Sequence, residues 1–142
     1  MKKNKLIASF DFDFSVLAIA SQLKEYKLAW LINQKLDINL VKQPDEIFDF
    51  LGDNQLYISN YLYRTENSRI RLIFNRSREG SSSNFQYLIP ELKHFDYLIL
   101  IEGFEDTWLT TEIRDLLRNI SGVQMVNQGG VDHLKSRENL IF

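Results

Sequence analysis

The 142-residue chain is 44% apolar and 25% charged with a net charge of -2, a balance that fits a single globular domain over residues 1–142 with a core of its own. So small a net charge gives no global reason for binding nucleic acid or an anionic membrane, so an electrostatic partner must be met by a local patch. The absence of cysteine excludes disulfides, thiol nucleophiles and Cys-ligated zinc and fits a cytoplasmic location.

In chain order, "KLIASFDFDF" sets Phe10, Phe12 and Phe14 at period two and reads as a first strand leading into a helix. Asp11 and Asp13 interrupt its apolar run before it could act as a secretory signal, and "FSVLAIA" is far too short to span a bilayer. From about Ser15 to Leu36 the character is helical, but no single stripe runs through it. Leu17 and Ala20 serve one turn, Leu28, Leu31 and Ile32 another, and Lys24 falls between them. Two helical segments or one bent helix are expected, ending near Asp37, with Ser21 as a cap for a segment starting at Gln22.

"INLVKQ" reads as a short strand, and "QLYISNYLYRTENSRIRLIFNRS" as a hairpin turning at "TENS". "REGSSSN", residues 78–84, is loop in character. Beyond "IPELKHFDY" and the apolar strand that follows it, Leu109, Ile113, Leu116, Leu117 and Ile120 form one helical stripe, with Asp106 or Thr107 as cap and Gly122 as stop. "VQMVNQ" is a last strand, and the apolar end of "LKSRENLIF" suits a docked tail. The order favours an α+β fold, a mainly antiparallel sheet with helices on one face. The span Tyr97–Val126 has the size of a βαβ crossover and resembles half of a ferredoxin-like sandwich.

In "IPELKHFDY", Pro90 suits the first position of a short helical turn and Glu91 its positive end, while Ile89 is pushed toward extended backbone. Glu91 and Asp96 then have two readings. Either they satisfy backbone N–H groups or pair with an arginine, with the Tyr97 hydroxyl bonded, or Glu91, His94 and Asp96 are acid, base or metal ligands. Ile89, Pro90, Glu91, Phe95, Asp96 and Tyr97 together resemble the signature of the IPExxxVDY family, small bacterial proteins of Bacteroidetes-type genomes, and the similarity extends to "KEYKLAWLINQKL" and "LKSRENLIF". Phe95 stands where that signature has Val. The resemblance implies a small cytoplasmic domain and brings no assigned reaction with it.

Other chemistry is sparse. Asp11 and Asp13 share a strand side and suit Mg²⁺ at a strand end, yet no Lys, Thr or further acid follows at a phosphotransfer spacing. His94 and His133 stand alone, Gly129 and Gly130 lack the context of a phosphate loop, and Ser81–Ser83 form no nucleophile elbow. No cofactor is implied. The main signal is local charge: Arg64, Arg69, Arg71, Arg76 and Arg78 opposed by Glu66 and Glu79. Arg69 and Arg71 lead this set, expected outward with Tyr61 or Tyr63 across from them. Such a surface suits an acidic protein or, with stacking aromatics, RNA, and otherwise is a solvated strand face. The acidic stretch Asp37, Asp45, Glu46, Asp49 and Asp53 against Lys42 offers neutralisation within the molecule or across a homodimer. The expectation is thus a non-catalytic binding or regulatory domain, with a small metal-assisted enzyme built on Asp11 and Asp13 as the competing reading.

Overall fold

The computed structural model describes residues 14–49, 55–77, 87–103, 110–129 and 136–140. These form six strands and two helices: β1 (Phe14–Ser21), α1 (Glu25–Leu36), β2 (Val41–Asp49), β3 (Gln55–Arg64), β4 (Arg69–Phe74), β5 (Tyr97–Glu102), α2 (Thr110–Arg118) and β6 (Val123–Gly129), with 3-10 turns at Pro90–Leu92 and Arg137–Leu140. The fold is α+β. One sheet runs in the order β2-β3-β4-β5-β1-β6, and every pairing in it is antiparallel.

The stretch "FSVLAIAS" corrects the expected first helical segment, for it is a strand paired on both edges, with β5 and with β6. Leu17 and Ile19 enter the core beneath the helices, whereas Val16 and Ala18 enter a second core on the other face. With both faces covered, the strand carries no polar alternation, and a short apolar run of this kind looks the same in sequence whether strand or buried helix. The strand expected over "KLIASFDFDF" lies outside the described residues except for Phe14.

One helix, α1, then follows. Ser21 is not its cap; the helix starts at Glu25 behind Lys24, which makes no side-chain capping bond. Asp37 ends it in the left-handed conformation, φ 55°, with its N–H bonded to the Asn33 carbonyl. Leu28, Ala29, Ile32 and Leu36 join Ile113, Leu117 and Ile120 over Ile70, Leu72, Tyr97, Ile99 and Ile101, so both helices lie on one face of the sheet. β5 and β6 are each antiparallel to β1 between them. They are therefore mutually parallel, and the β5–α2–β6 unit is a crossover split by β1, the ferredoxin-like arrangement expected of Tyr97–Val126.

The other face has its own cover. Val16, Ala18, Leu56, Ile58, Ile73, Leu98 and Leu100 pack with Leu88, Ile89 and Leu140, and Leu92 and Phe95 lie against them. Strand β2 is longer than the short one expected, with a register shift between Gln43 and Glu46 around Pro44, a placement that suits proline at a sheet edge. The turn Thr65–Ser68 closes the β3–β4 hairpin through a Thr65 N–H to Ser68 carbonyl bond of 2.9 Å. Gly122 is not the stop of α2, which already ends at Arg118; it turns the chain into β6 at φ 98°, where a Cβ would stand 2.8 Å from the Leu23 side chain. Among the described residues, no helix is long and apolar enough to cross a membrane.

Candidate functional site

Strand register sorts the arginines. Arg64 is paired with Arg69, and Leu62 with Arg71, so Arg64, Arg69 and Arg71 share the face opposite the helices. Tyr61 and Tyr63 pair with Leu72 and Ile70 and pack against the core beneath the helices. The expectation that a tyrosine lies across from Arg69 and Arg71 is therefore corrected: the hairpin turn fixes tyrosines and arginines on opposite faces, because side chains alternate along a strand. Arg76 is seven positions beyond Arg69, roughly 20 Å away at about 3.3 Å per strand residue. It forms a separate end of β4, where its guanidinium lies 5.9 Å from the Tyr87 ring. Arg78 lies outside the described residues.

The tip cluster is partly neutralised from within. Arg69 pairs with Glu102 at 3.2 Å, both side chains substantially exposed, an arrangement that contributes about 0–1 kcal/mol. Arg71 is half-buried, donating to Asn60 Oδ1 at 2.6 Å. Burial holds the Arg71 pKa below its ordinary value; Glu46 and Glu102 oppose the shift, and the nearby Arg69 and Arg64 charges reinforce it. Acidic strand β2 thus reaches the cluster through Glu46. Lys42 is paired with Asp45 at 3.4 Å, and Asp53 lies outside the described residues. At the tip, Arg64, Thr65, Glu66, Asn67, Ser68, Arg69 and Glu102 surround a recess of about 270 Å³.

The Ile89–Tyr97 segment joins layers. Pro90 opens the 3-10 turn behind an extended Ile89 (φ -120°, ψ 91°), as proline sterics dictate. The Glu91 carboxylate accepts the Ser136 N–H at 2.8 Å and its hydroxyl at 2.9 Å, so it caps the tail turn that carries buried Leu140. Asp96 Oδ2 accepts the Ser21 N–H at 2.8 Å, and the Tyr97 hydroxyl donates to the Leu23 carbonyl. Ser21 Oγ donates to the Gly122 carbonyl at 2.7 Å and accepts the Leu23 N–H at 3.1 Å. The β1–α1 turn is thereby tied to β5 and to the end of α2. Glu91 and Asp96 are directed at different segments, the tail and the β1–α1 turn. His94 is exposed; Asp11, Asp13 and His133 lie outside the described residues. Among the described residues, no group of three or more His, Asp and Glu is placed to hold a metal ion.

Asn75 was not singled out in the sequence. Fully buried, it donates through Nδ2 to the carbonyls of Ile89, Leu92 and Phe95 at 3.3, 3.1 and 3.4 Å and accepts the Ile89 N–H at 2.8 Å. One side chain thus satisfies the inner polar groups of the 3-10 turn, as a buried amide must. Above the helix-side end of β5, Ser21–Tyr26, Phe74, Arg76, Asp96 and Tyr97 line a cleft of about 360 Å³. Phe74 and Tyr97 stack on its floor at 5.1 Å.

The chain matches no family model, no curated protein and no solved structure. The chemistry of the site therefore rests on its own geometry.

Tyr97 gives the site a pH signature. Burial, then the Glu25 and Asp96 charges and Tyr61, raise its pKa far above the usual phenol value, and burial with Glu25 raises that of Tyr61. A phenol whose folded pKa is raised contributes stability that is complete below the unfolded pKa of about 10 and declines as pH rises from there toward the folded value. The unfolding free energy is thus expected to hold steady to about pH 10 and fall above it. Urea titrations at successive pH values should show that fall flattened in Tyr97→Phe, together with a pH-independent loss of about 1 kcal/mol from the missing hydrogen bond. An undiminished alkaline slope in the variant would refute this assignment.

Proposed function

We propose that the chain is a non-catalytic binding or regulatory domain of the cytoplasm, one that takes an acidic protein partner on the arginine face of the β3–β4 tip. The Ile89–Tyr97 pattern supports placing it in the IPExxxVDY family. The observation that carries the binding reading is the Arg64–Arg69 pair, two like charges directly opposite each other at the last rung of the hairpin. Cross-strand like charges destabilise a sheet, and Glu102 is shared with an exposed and screened contact, so an external carboxylate is the natural counter-charge. Bidentate guanidinium–carboxylate bonding suits it. An RNA reading has less support, because Tyr61 and Tyr63 are turned to the opposite face and leave these guanidiniums without stacking neighbours on β3.

Arg71 supports buried Asn60, so the test uses exposed positions: Arg64→Glu with Arg69→Glu. Pull-downs with the wild-type chain should recover an acidic partner at low salt and progressively less at high salt. The double variant should recover little at either, with its thermal midpoint close to wild type. Equal recovery by both proteins would refute the proposal.

A further inference from the structure

The outward face of α1 has no role in the hairpin reading and lies across the sheet from Arg69 and Arg71. Tyr26 and Trp30, one turn apart, are 65% and 54% exposed. Lys24, Lys27, Gln34 and Lys35 are exposed around them, and Lys27 Nζ lies 5.2 Å from the Trp30 ring centroid. The helix has one carboxylate, Glu25, which is turned inward to accept the Ser59 hydroxyl. No ion pair involves Lys24, Lys27 or Lys35 among the described residues. At its N-terminal end this face opens into the 360 Å³ cleft, where Lys24 and Tyr26 meet Arg76 and the Phe74–Tyr97 stack. Glu25 and Asp96 also line that cleft and balance Lys24 and Arg76 there, so the cationic surplus lies on the outer face of α1, at Lys27 and Lys35.

We propose that the α1 face and its adjoining cleft bind an extended acidic peptide segment of a partner protein, with apolar side chains seated on Tyr26 and Trp30. The charge pattern selects this occupant. A second copy would set Lys24, Lys27 and Lys35 against the same lysines, with Asp37 at the C-cap the one exposed carboxylate beside them among the described residues. A membrane would meet only two aromatic side chains, because Leu28, Ile32 and Leu36 are committed to the core, and interfacial helices need a broad apolar face. A peptide fits the spacing. Tyr26 and Trp30 are separated by about 6 Å of helix rise, close to the roughly 6.7 Å between alternate residues of an extended chain. Trp and Tyr are enriched among the residues that carry most of the energy of protein contacts.

The test is fluorescence anisotropy of the full chain with a fluorescein-labelled Asp-Asp-Phe-Asp-Phe-Asp-Asp peptide, compared with polyaspartate, oligothymidylate and phosphatidylserine vesicles. The Phe-containing peptide should bind most tightly. Tyr26→Ala with Trp30→Ala, and separately Lys27→Glu, should each weaken it about tenfold or more, and should remove its preference over polyaspartate, whereas Arg64→Glu with Arg69→Glu should weaken both acidic ligands alike and keep that preference. Thermal midpoints near wild type would confirm that these exposed positions leave the fold intact. The proposal is overturned if the peptide does not bind, if oligothymidylate or vesicles are preferred, or if only the hairpin variant loses binding. Because the hairpin variant is a separate arm, failure here is distinguishable from failure of the hairpin reading.

Discussion

Asn75→Ala should be the most damaging polar substitution in the described fold, lowering the unfolding free energy by about 3 kcal/mol or more. The alanine would strip the Ile89 N–H and the Ile89, Leu92 and Phe95 carbonyls of their side-chain partner, and each buried polar group left without one costs about 1–3 kcal/mol. The carbonyls of Ile89 and Leu92 also accept turn bonds from Leu92 and Phe95 N–H, which keeps the total below a simple sum. The turn they stabilise presses Leu88, Ile89, Leu92 and Phe95 on the second core, so its loosening should also free the tail held by Glu91. Urea denaturation gives the loss, and hydrogen exchange should localise added opening to residues 88–95 and the tail turn. A loss under about 1 kcal/mol would place Asn75 outside any structural role.

Gly103→Ala should rank beside it. Gly103 closes β5 at φ +79°, and a Cβ there would stand 2.2 Å from the Asn67 carbonyl oxygen and 3.0 Å from Ser68 Cα. Left-handed backbone at a non-glycine residue costs about 1–3 kcal/mol, and the obstacle is backbone, which cannot rotate aside. The strain would fall on the Thr65–Ser68 turn. A loss of about 2 kcal/mol or more is expected by denaturation, together with weaker binding at the arginine tip because Arg64 and Arg69 flank that turn. Retention of wild-type stability would show that β5 and the hairpin turn do not approach as closely as described.

The hairpin was legible because its two halves alternate at period two around "TENS", and α2 because Ile113, Leu116 and Leu117 recur on one helical stripe. The stop at Asp37 was also readable, as a small polar residue tolerates the left-handed position. Residues Phe14–Ser21 were misread for a physical reason: β1 is central in a sheet with two covered faces, so it shows no period. That same second core explains the misplaced tyrosines. A hairpin with one wet face would have put all its polar side chains together, but here Tyr61 and Tyr63 pack under α1 while Arg71 lies beside Leu62 and Leu100. The turn length alone contained the answer, since pairing Arg64 with Arg69 sets Tyr63 against Ile70. Asn75 gave no signal, because a single amide between Phe74 and Arg76 acquires meaning only when the turn folds over it. In the Ile89–Tyr97 segment the proline turn was readable, whereas the partners of Glu91 and Asp96, Ser136 and Ser21, are 45 and 75 residues away in sequence and carry no local mark.

Asn75, Glu91, Asp96 and Tyr97 hold the scaffold, and the exposed cations of the β3–β4 tip form the proposed binding surface. The most direct test of the binding claim is titration of the purified chain with fluorescein-labelled polyglutamate over a range of salt concentrations, for wild type and for Arg64→Glu with Arg69→Glu. Wild-type affinity should fall steeply with salt, as screening of exposed charges requires, and the double variant should bind about tenfold more weakly with a shallower slope. Equal affinity and equal slope for the two proteins would contradict the claim.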